Sequence, residues 1–222
     1  MKPSFKQVVF ASMLVKSGVV SAHAISDKFD MQKEDVESFA EFGVKKFKAT
    51  RGHDGATIFE YELTHKNKTV AIFAENYMNG PSDVEINDKT ALEPLYRIAK
   101  ETAEPMYVSL YETLESAADI FLQEIASAYH LLENVYKKDF TKKLIFVDLL
   151  GDIEECMELG FQKYVPFSRA AQSPKGREAL HNMYWKHRES TRAENATGGF
   201  TVIINKPDKL TEWGVKDFTP YA

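Results

Sequence analysis

Between Tyr107 and Val135 the chain runs for twenty-nine residues without glycine or proline. Its apolar residues return at alternating steps of four and three: Tyr107, Tyr111, Leu114, Ala118, Phe121, Ile125, Ala128, Leu132 and Val135. That spacing repeats a heptad, and uninterrupted helix is the structure that brings such residues onto one stripe. Glu112, Glu115, Asp119 and Glu124 lie off the seam. Leu110, Ala117, Leu122 and Leu131 widen it, as in a helix buried on more than one side. A long helix over 106–137 is therefore expected. It would serve either as a dimerisation helix or as the core helix of a domain.

A chain of 222 residues accommodates one large domain or two small ones. It holds no run of eighteen apolar residues, so no membrane-spanning helix is expected. Cys156 is its single cysteine and forms no internal disulfide, which fits a reducing compartment and a cytoplasmic location. Charge is unevenly spread. Residues 1–70 carry a formal balance of +2 and residues 71–222 one of −7, so the N-terminal third is the better candidate for meeting a polyanion.

Within that third, Val8, Val9, Ala11, Met13, Leu14 and Val15 predict a short buried helix that Gly18 ends. Ser21 is a good N-cap for AHAISDKF, whose Ala22, Ile25 and Phe29 share a face. QKEDVESFAEFG follows, with Val36, Phe39 and Ala40 inward. VKKFKATR and ATIFEYEL then flank Asp54-Gly55, a hairpin turn signal, and TVAIFA reads as a third strand. Helix, helix, helix and basic hairpin is the order of a winged helix-turn-helix, and residues 4–74 resemble that superfamily. The competing reading is a signal peptide: Ala22-His23-Ala24 has the A-x-A form of a cleavage site, and Lys2 and Lys6 could precede an apolar stretch. Ser12 and Lys16 interrupt that stretch, and the helix-turn-helix accounts for more residues.

The resemblance implies DNA contact through Ser21, Gln32, Lys33, Lys45, Lys46, Lys48, Arg51 and His53, the hairpin cations neutralising phosphates. The third helix opposes this, because Glu34, Glu37 and Glu41 face outward and would be repelled by a groove lined with phosphate. Those three carboxylates suit a protein partner instead.

Polar residues 75–89 with Gly80-Pro81 suggest a linker. The expected domains are thus a winged helix at 1–75, a linker at 76–89 and a mainly helical domain at 90–222. Thr90 with Glu93 has capping-box form and opens a helix to about Ala103. Residues 141–160 read as a strand LIFVDLL before a short helix, or as one helix with Phe146, Leu150, Ile153 and Met157 on a face; the helix is preferred. The fold class expected is mainly α with a small β component, the second domain being a bundle or coiled coil.

Signals for chemistry are sparse. On such a helix Asp148, Asp152 and Glu155 would gather as they do around Mg²⁺ or Mn²⁺, but a solvated face explains them equally and no diagnostic motif accompanies them. Cys156 and the six histidines lack zinc spacing, and the carboxylates beside Cys156 suit a buried structural thiol better than a nucleophile. No metal or cofactor is expected. Residues 163–192 carry seven Lys/Arg against two Glu, with Tyr164, Phe167, Tyr184 and Trp185 interleaved. Ser173-Pro174 caps a helix there, to about Arg192. Lys175, Arg177, Trp185, Lys186, Arg188 and Arg192 form a second candidate nucleic-acid contact, or else pair within the protein. FTVIIN reads as a strand, and the chain from Lys206 as loop.

Taken together, these features predict a dimeric DNA-binding protein, and fit a transcription regulator or a replication or partition factor better than an enzyme. The alternative is an adaptor that docks a protein partner through the winged helix. A metal-dependent nucleic-acid enzyme ranks below both.

Overall fold

The computed structural model describes residues 2–52, 55–76, 81–160 and 165–222. Of the described residues, 51% are helical and 21% are in strands, and these strands form two antiparallel sheets. The fold is a mixture of helix and sheet, which corrects the expectation of a mainly helical chain. The chain divides into two compact units: residues 2–12 with 32–130, and residues 13–31 with 131–222.

In the first unit, the start of α1 (Phe5–Lys16) and α3 (Lys33–Ala40) precede four strands. These are β1 (Phe42–Arg51), β2 (Thr57–His65), β3 (Lys68–Ala74) and β4 (Asp83–Ile86), paired in chain order. Alternation explains the sheet: Phe59, Tyr61 and Leu63 point to one face with Ala71 and Phe73, while Glu60 and Glu62 point to the other. One extra residue in β1, between Lys45 and Lys48, makes a bulge with Lys46 at φ 51°. Within it the Phe47 ring centre lies 4.7 Å from that of Tyr129 and 5.8 Å from that of Phe59. β4 falls in the stretch expected as linker, where its pairing with Ala71–Ala74 overrides a polar composition.

Helices α4 (Lys89–Thr102) and α5 (Leu114–His130) close the buried face. Asp88, not Thr90, caps α4, its side chain accepting from the Ala91 amide. The long helix expected from residue 106 is broken. Pro105–Tyr111 is a 3₁₀ segment, and α5 starts only at Leu114. The cause is a reciprocal cap: the Ser116 amide donates to the Thr113 hydroxyl and the Thr113 amide to the Ser116 hydroxyl, both at 3.1 Å. From Leu114 onward the heptad residues of α5 are buried, so that seam is the core of this unit rather than an open face.

The second unit begins inside α1, which ends on Gly18 at φ 73°. The Gly18 amide bonds Val15 O and the Val19 amide bonds Leu14 O, a Schellman cap. The opposite end of the chain returns here: the Tyr221 amide donates to Val19 O and the Ser21 amide to Tyr221 O. α2 (Ala22–Phe29) follows, with Ser21 accepting from the Ala24 amide. A π-helical turn (Leu131–Tyr136) continues α5 into this unit. Then comes a sheet in the order β6 (Met157–Gly160), β5 (Lys143–Asp148), β7 (Thr201–Ile203).

Residues 141–160 are therefore strand, turn and strand, correcting the preferred helical reading. Leu144, Ile145, Phe146 and Val147 are all buried, as in a strand covered on both faces. Asn205 extends this ladder past β7, accepting from the Ile145 amide and donating to Lys143 O, both at 2.9 Å. α6 (Phe167–Ala170) and α7 (Pro174–Ala196) pack beside it, with Ser173 capping α7 as expected. The chain after Lys206 is not loop: Pro207 opens α8 (Pro207–Glu212), which seats Leu210 and Trp213 in the core.

Candidate functional site

The candidate DNA-contact residues are divided between the units. Ser21 belongs to the second unit, where its side chain is engaged as the α2 cap. Gln32 and Lys33 open α3 in the first unit, exposed, and Lys33 pairs with Glu37 at 3.0 Å. The hairpin carries less free positive charge than its sequence suggests. Lys46 meets Glu62 at 2.6 Å and Lys48 meets Glu60 at 2.8 Å, across the open face of the sheet. The Lys46 contact holds the Glu62 carboxyl below its ordinary range. Lys45 reaches Asn67 O at 3.5 Å, and Arg51 is exposed without an ion-pair partner among the described residues. His53 and Asp54 lie outside the described residues, as do Gly80 and Tyr164.

The carboxylates on α3 are unequally available. Glu34 is exposed and has no cation partner among the described residues. Glu41, which follows the helix, is held by His65 at 3.0 Å and Lys66 at 3.1 Å, and these contacts lower its carboxyl. Asp35 pairs with Arg97 on α4, which also reaches Glu101 at 3.7 Å.

In the second unit, Arg188 is not a surface cation. It is buried, donating to Tyr184 Oη at 2.9 Å and Pro220 O at 3.0 Å, with its guanidinium 4.3 Å from the Tyr221 ring centre. Trp185 donates to Lys216 O at 3.1 Å. Both residues hold the C-terminal segment. Lys175, Arg177, Lys186 and Arg192 remain exposed, without ion-pair partners among the described residues. An open groove between α7 and α8 contains Arg177 and Lys216, but Glu178 and Asp217 balance them.

Asp148 and Asp152 do not share a helix face. Each closes a turn on a following amide, and no group of metal-ligating side chains occurs among the described residues. Cys156 is half-buried rather than fully enclosed; burial and then Glu158 push its thiol up, away from the reactive thiolate. No helix among the described residues is long and apolar enough to cross a membrane.

Two features lie outside what the sequence pattern points to. The first is the 3₁₀ segment. Met106 is 72% exposed, Tyr107 50%, Val108 44% and Leu110 45%, a row of large apolar side chains turned to solvent. Tyr111 anchors it: the ring is buried and its carbonyl accepts from Tyr96 Oη at 2.8 Å. Pro105 and the Thr113-x-x-Ser116 cap are the signals that this stretch leaves the heptad. The second is Glu124 on α5, largely buried, whose Oε2 has no hydrogen-bond partner among the described residues. Burial pushes its carboxyl up to about 7, against the opposing pull of Lys6.

No family model matches this chain, and no curated protein or solved structure does either.

Proposed function

We propose that this chain is a protein-interaction module and that its docking element is the segment Pro105–Tyr111. The observation that supports this reading is the exposed row Met106, Tyr107, Val108 and Leu110. Scattered apolar side chains on a surface need no explanation, but a contiguous set on a preorganised element marks a contact site. The paired hairpin lysines and the acidic α3 point the same way, since both reduce the attraction for a phosphate backbone.

A photoreactive phenylalanine analogue at position 107 tests it in cells. A discrete crosslinked protein band is expected there and not at exposed Gln32 as a control. Absence of any discrete adduct at 107, or equal labelling at both positions, would overturn the reading.

DNA binding stays as the second reading, favoured by Arg51 and by the exposed α7 cations Lys175, Arg177, Lys186 and Arg192. A random-sequence duplex titrated at several salt concentrations separates the two. Salt-sensitive binding lost on Lys45, Lys46, Lys48 and Arg51→Glu would establish the DNA reading through the hairpin. Loss on reversal of the α7 cations would place it there instead.

A further inference from the structure

We infer that the ridge of Met106, Tyr107, Val108 and Leu110 takes a basic, apolar segment of a partner protein, an amphipathic helix with cations at both ends of its apolar stripe; this rests on the interaction reading above. Charge complementarity selects that partner. Glu104 precedes the ridge and Glu112 follows it, both exposed and both without an ion-pair partner among the described residues. Nearby cations are engaged elsewhere: Lys89 with Glu115, Arg97 with Asp35 and Glu101, and Lys100 over the Tyr96 ring at 5.7 Å. The ridge is therefore an apolar strip with a free carboxylate at each end.

The spacing selects the partner's form. A 3₁₀ helix rises about 2.0 Å per residue, so eight steps from Glu104 to Glu112 span roughly 16 Å. An α-helix covers that length in about eleven residues at 1.5 Å each. Lysines or arginines about eleven positions apart, with leucine-like residues between them at helical spacing, meet both carboxylates while the stripe covers the ridge. Rim charges of this kind set orientation and partner choice, and the buried apolar anchors supply the greater part of the affinity. The ridge is held in place in advance by Tyr111 and by the Tyr107 amide bond to Glu104 O at 2.8 Å, which lowers the ordering cost of docking.

The test uses the full chain and two fluorescent helical peptides, one with leucines bracketed by lysines and one with the same leucines bracketed by glutamates. The lysine peptide is expected to bind, more weakly as salt rises, and the glutamate peptide at least about tenfold less tightly. Glu104→Lys with Glu112→Lys should reverse that preference. Met106→Ser with Leu110→Ser should abolish both, with thermal stability retained because these side chains are exposed.

Equal binding of the two peptides, or a preference unchanged by the charge reversal, overturns the basic-partner inference. If sedimentation shows self-association that Met106→Ser with Leu110→Ser dissolves, a second copy is the occupant; the interaction reading stands and the basic-partner inference falls. Ridge-dependent binding to phosphatidylserine vesicles without peptide binding makes a lipid surface the occupant and overturns both. Binding of none of these, with no self-association and no crosslink at position 107, also overturns both.

Discussion

Glu124 shows how one side chain ties stability to pH. The folded protein keeps its carboxyl protonated up to about pH 7, whereas an unfolded chain releases that proton near its ordinary value of 4.5. Between those values the folded state binds more protons than the unfolded one, so stability falls as pH rises from about 4.5 to 7 and then levels off. A tenfold difference in proton affinity between the two states is worth about 1.4 kcal/mol, so the loss attributable to this group is at most about 3.5 kcal/mol. Glu124→Gln, which keeps the shape without the charge, should flatten that part of the stability curve and raise stability at pH 8. Urea unfolding at pH 5, 6, 7 and 8 checks this, and an unchanged slope would refute it. Tyr111 shares the environment: burial, then the Glu124 charge, pushes its phenol up to about 12.

Elements begin and end here on local chemistry that is partly legible in the chain. Gly18, Ser21 and Ser173 act at the termini their sequence context predicts, because an N-cap hydroxyl or a left-handed glycine needs only its immediate neighbours. Thr113 and Ser116 are harder to read. Their reciprocal bonds overrule an apolar heptad that runs straight through them, and so release residues 106–110 to the surface. The strand at 143–148 escapes a sequence reading because four buried apolar residues in a row fit a buried helix as well as a doubly covered strand, and only the pairing partners decide.

Gly176, in the first turn of α7, gives a sharper test at this scale. A Cβ there would lie 1.9 Å from Ala170 O, so the α6–α7 corner closes only around glycine. Gly176→Ala should therefore destabilise the protein by several kcal/mol, on the order of 3, although alanine is the better helix former by about 1 kcal/mol. A melting temperature equal to or above that of the parent would show that the corner tolerates a side chain.

Across the whole molecule, the division into units ignores the order of the chain. Residues 13–31 lie with 131–222, and residues 32–130 with 2–12. The C-terminal segment is where the second unit fastens its two ends. Tyr221 bridges Val19 and Ser21 through its backbone, while its hydroxyl meets Thr191 at 3.2 Å and the Ile203 amide at 3.2 Å. Deleting residues 217–222 removes those bonds and leaves Arg188 buried without Pro220 O, a loss of the kind that costs several kcal/mol. The truncated chain should melt at least about 5 °C lower. Amide exchange should rise in β5, β7 and α7, and an unchanged melting temperature would show that the segment does not fasten the unit.

By itself the sequence determined the caps at Gly18, Ser21 and Ser173, the order of α1, α2, α3 and the hairpin, and the strand at 201–203, each of which depends on residues within a few positions of one another. The tertiary structure alone decided the rest. It showed that the heptad from Leu114 is the inside of a sheet-covered unit, that Arg188 holds a tail, that two hairpin lysines are paired across strands, and that an apolar ridge between Glu104 and Glu112 stays open. Composition counts a lysine, a leucine or an arginine identically wherever it falls. Burial and pairing depend on what arrives from far along the chain, and that is where charge becomes neutralised or free and apolar surface becomes core or contact.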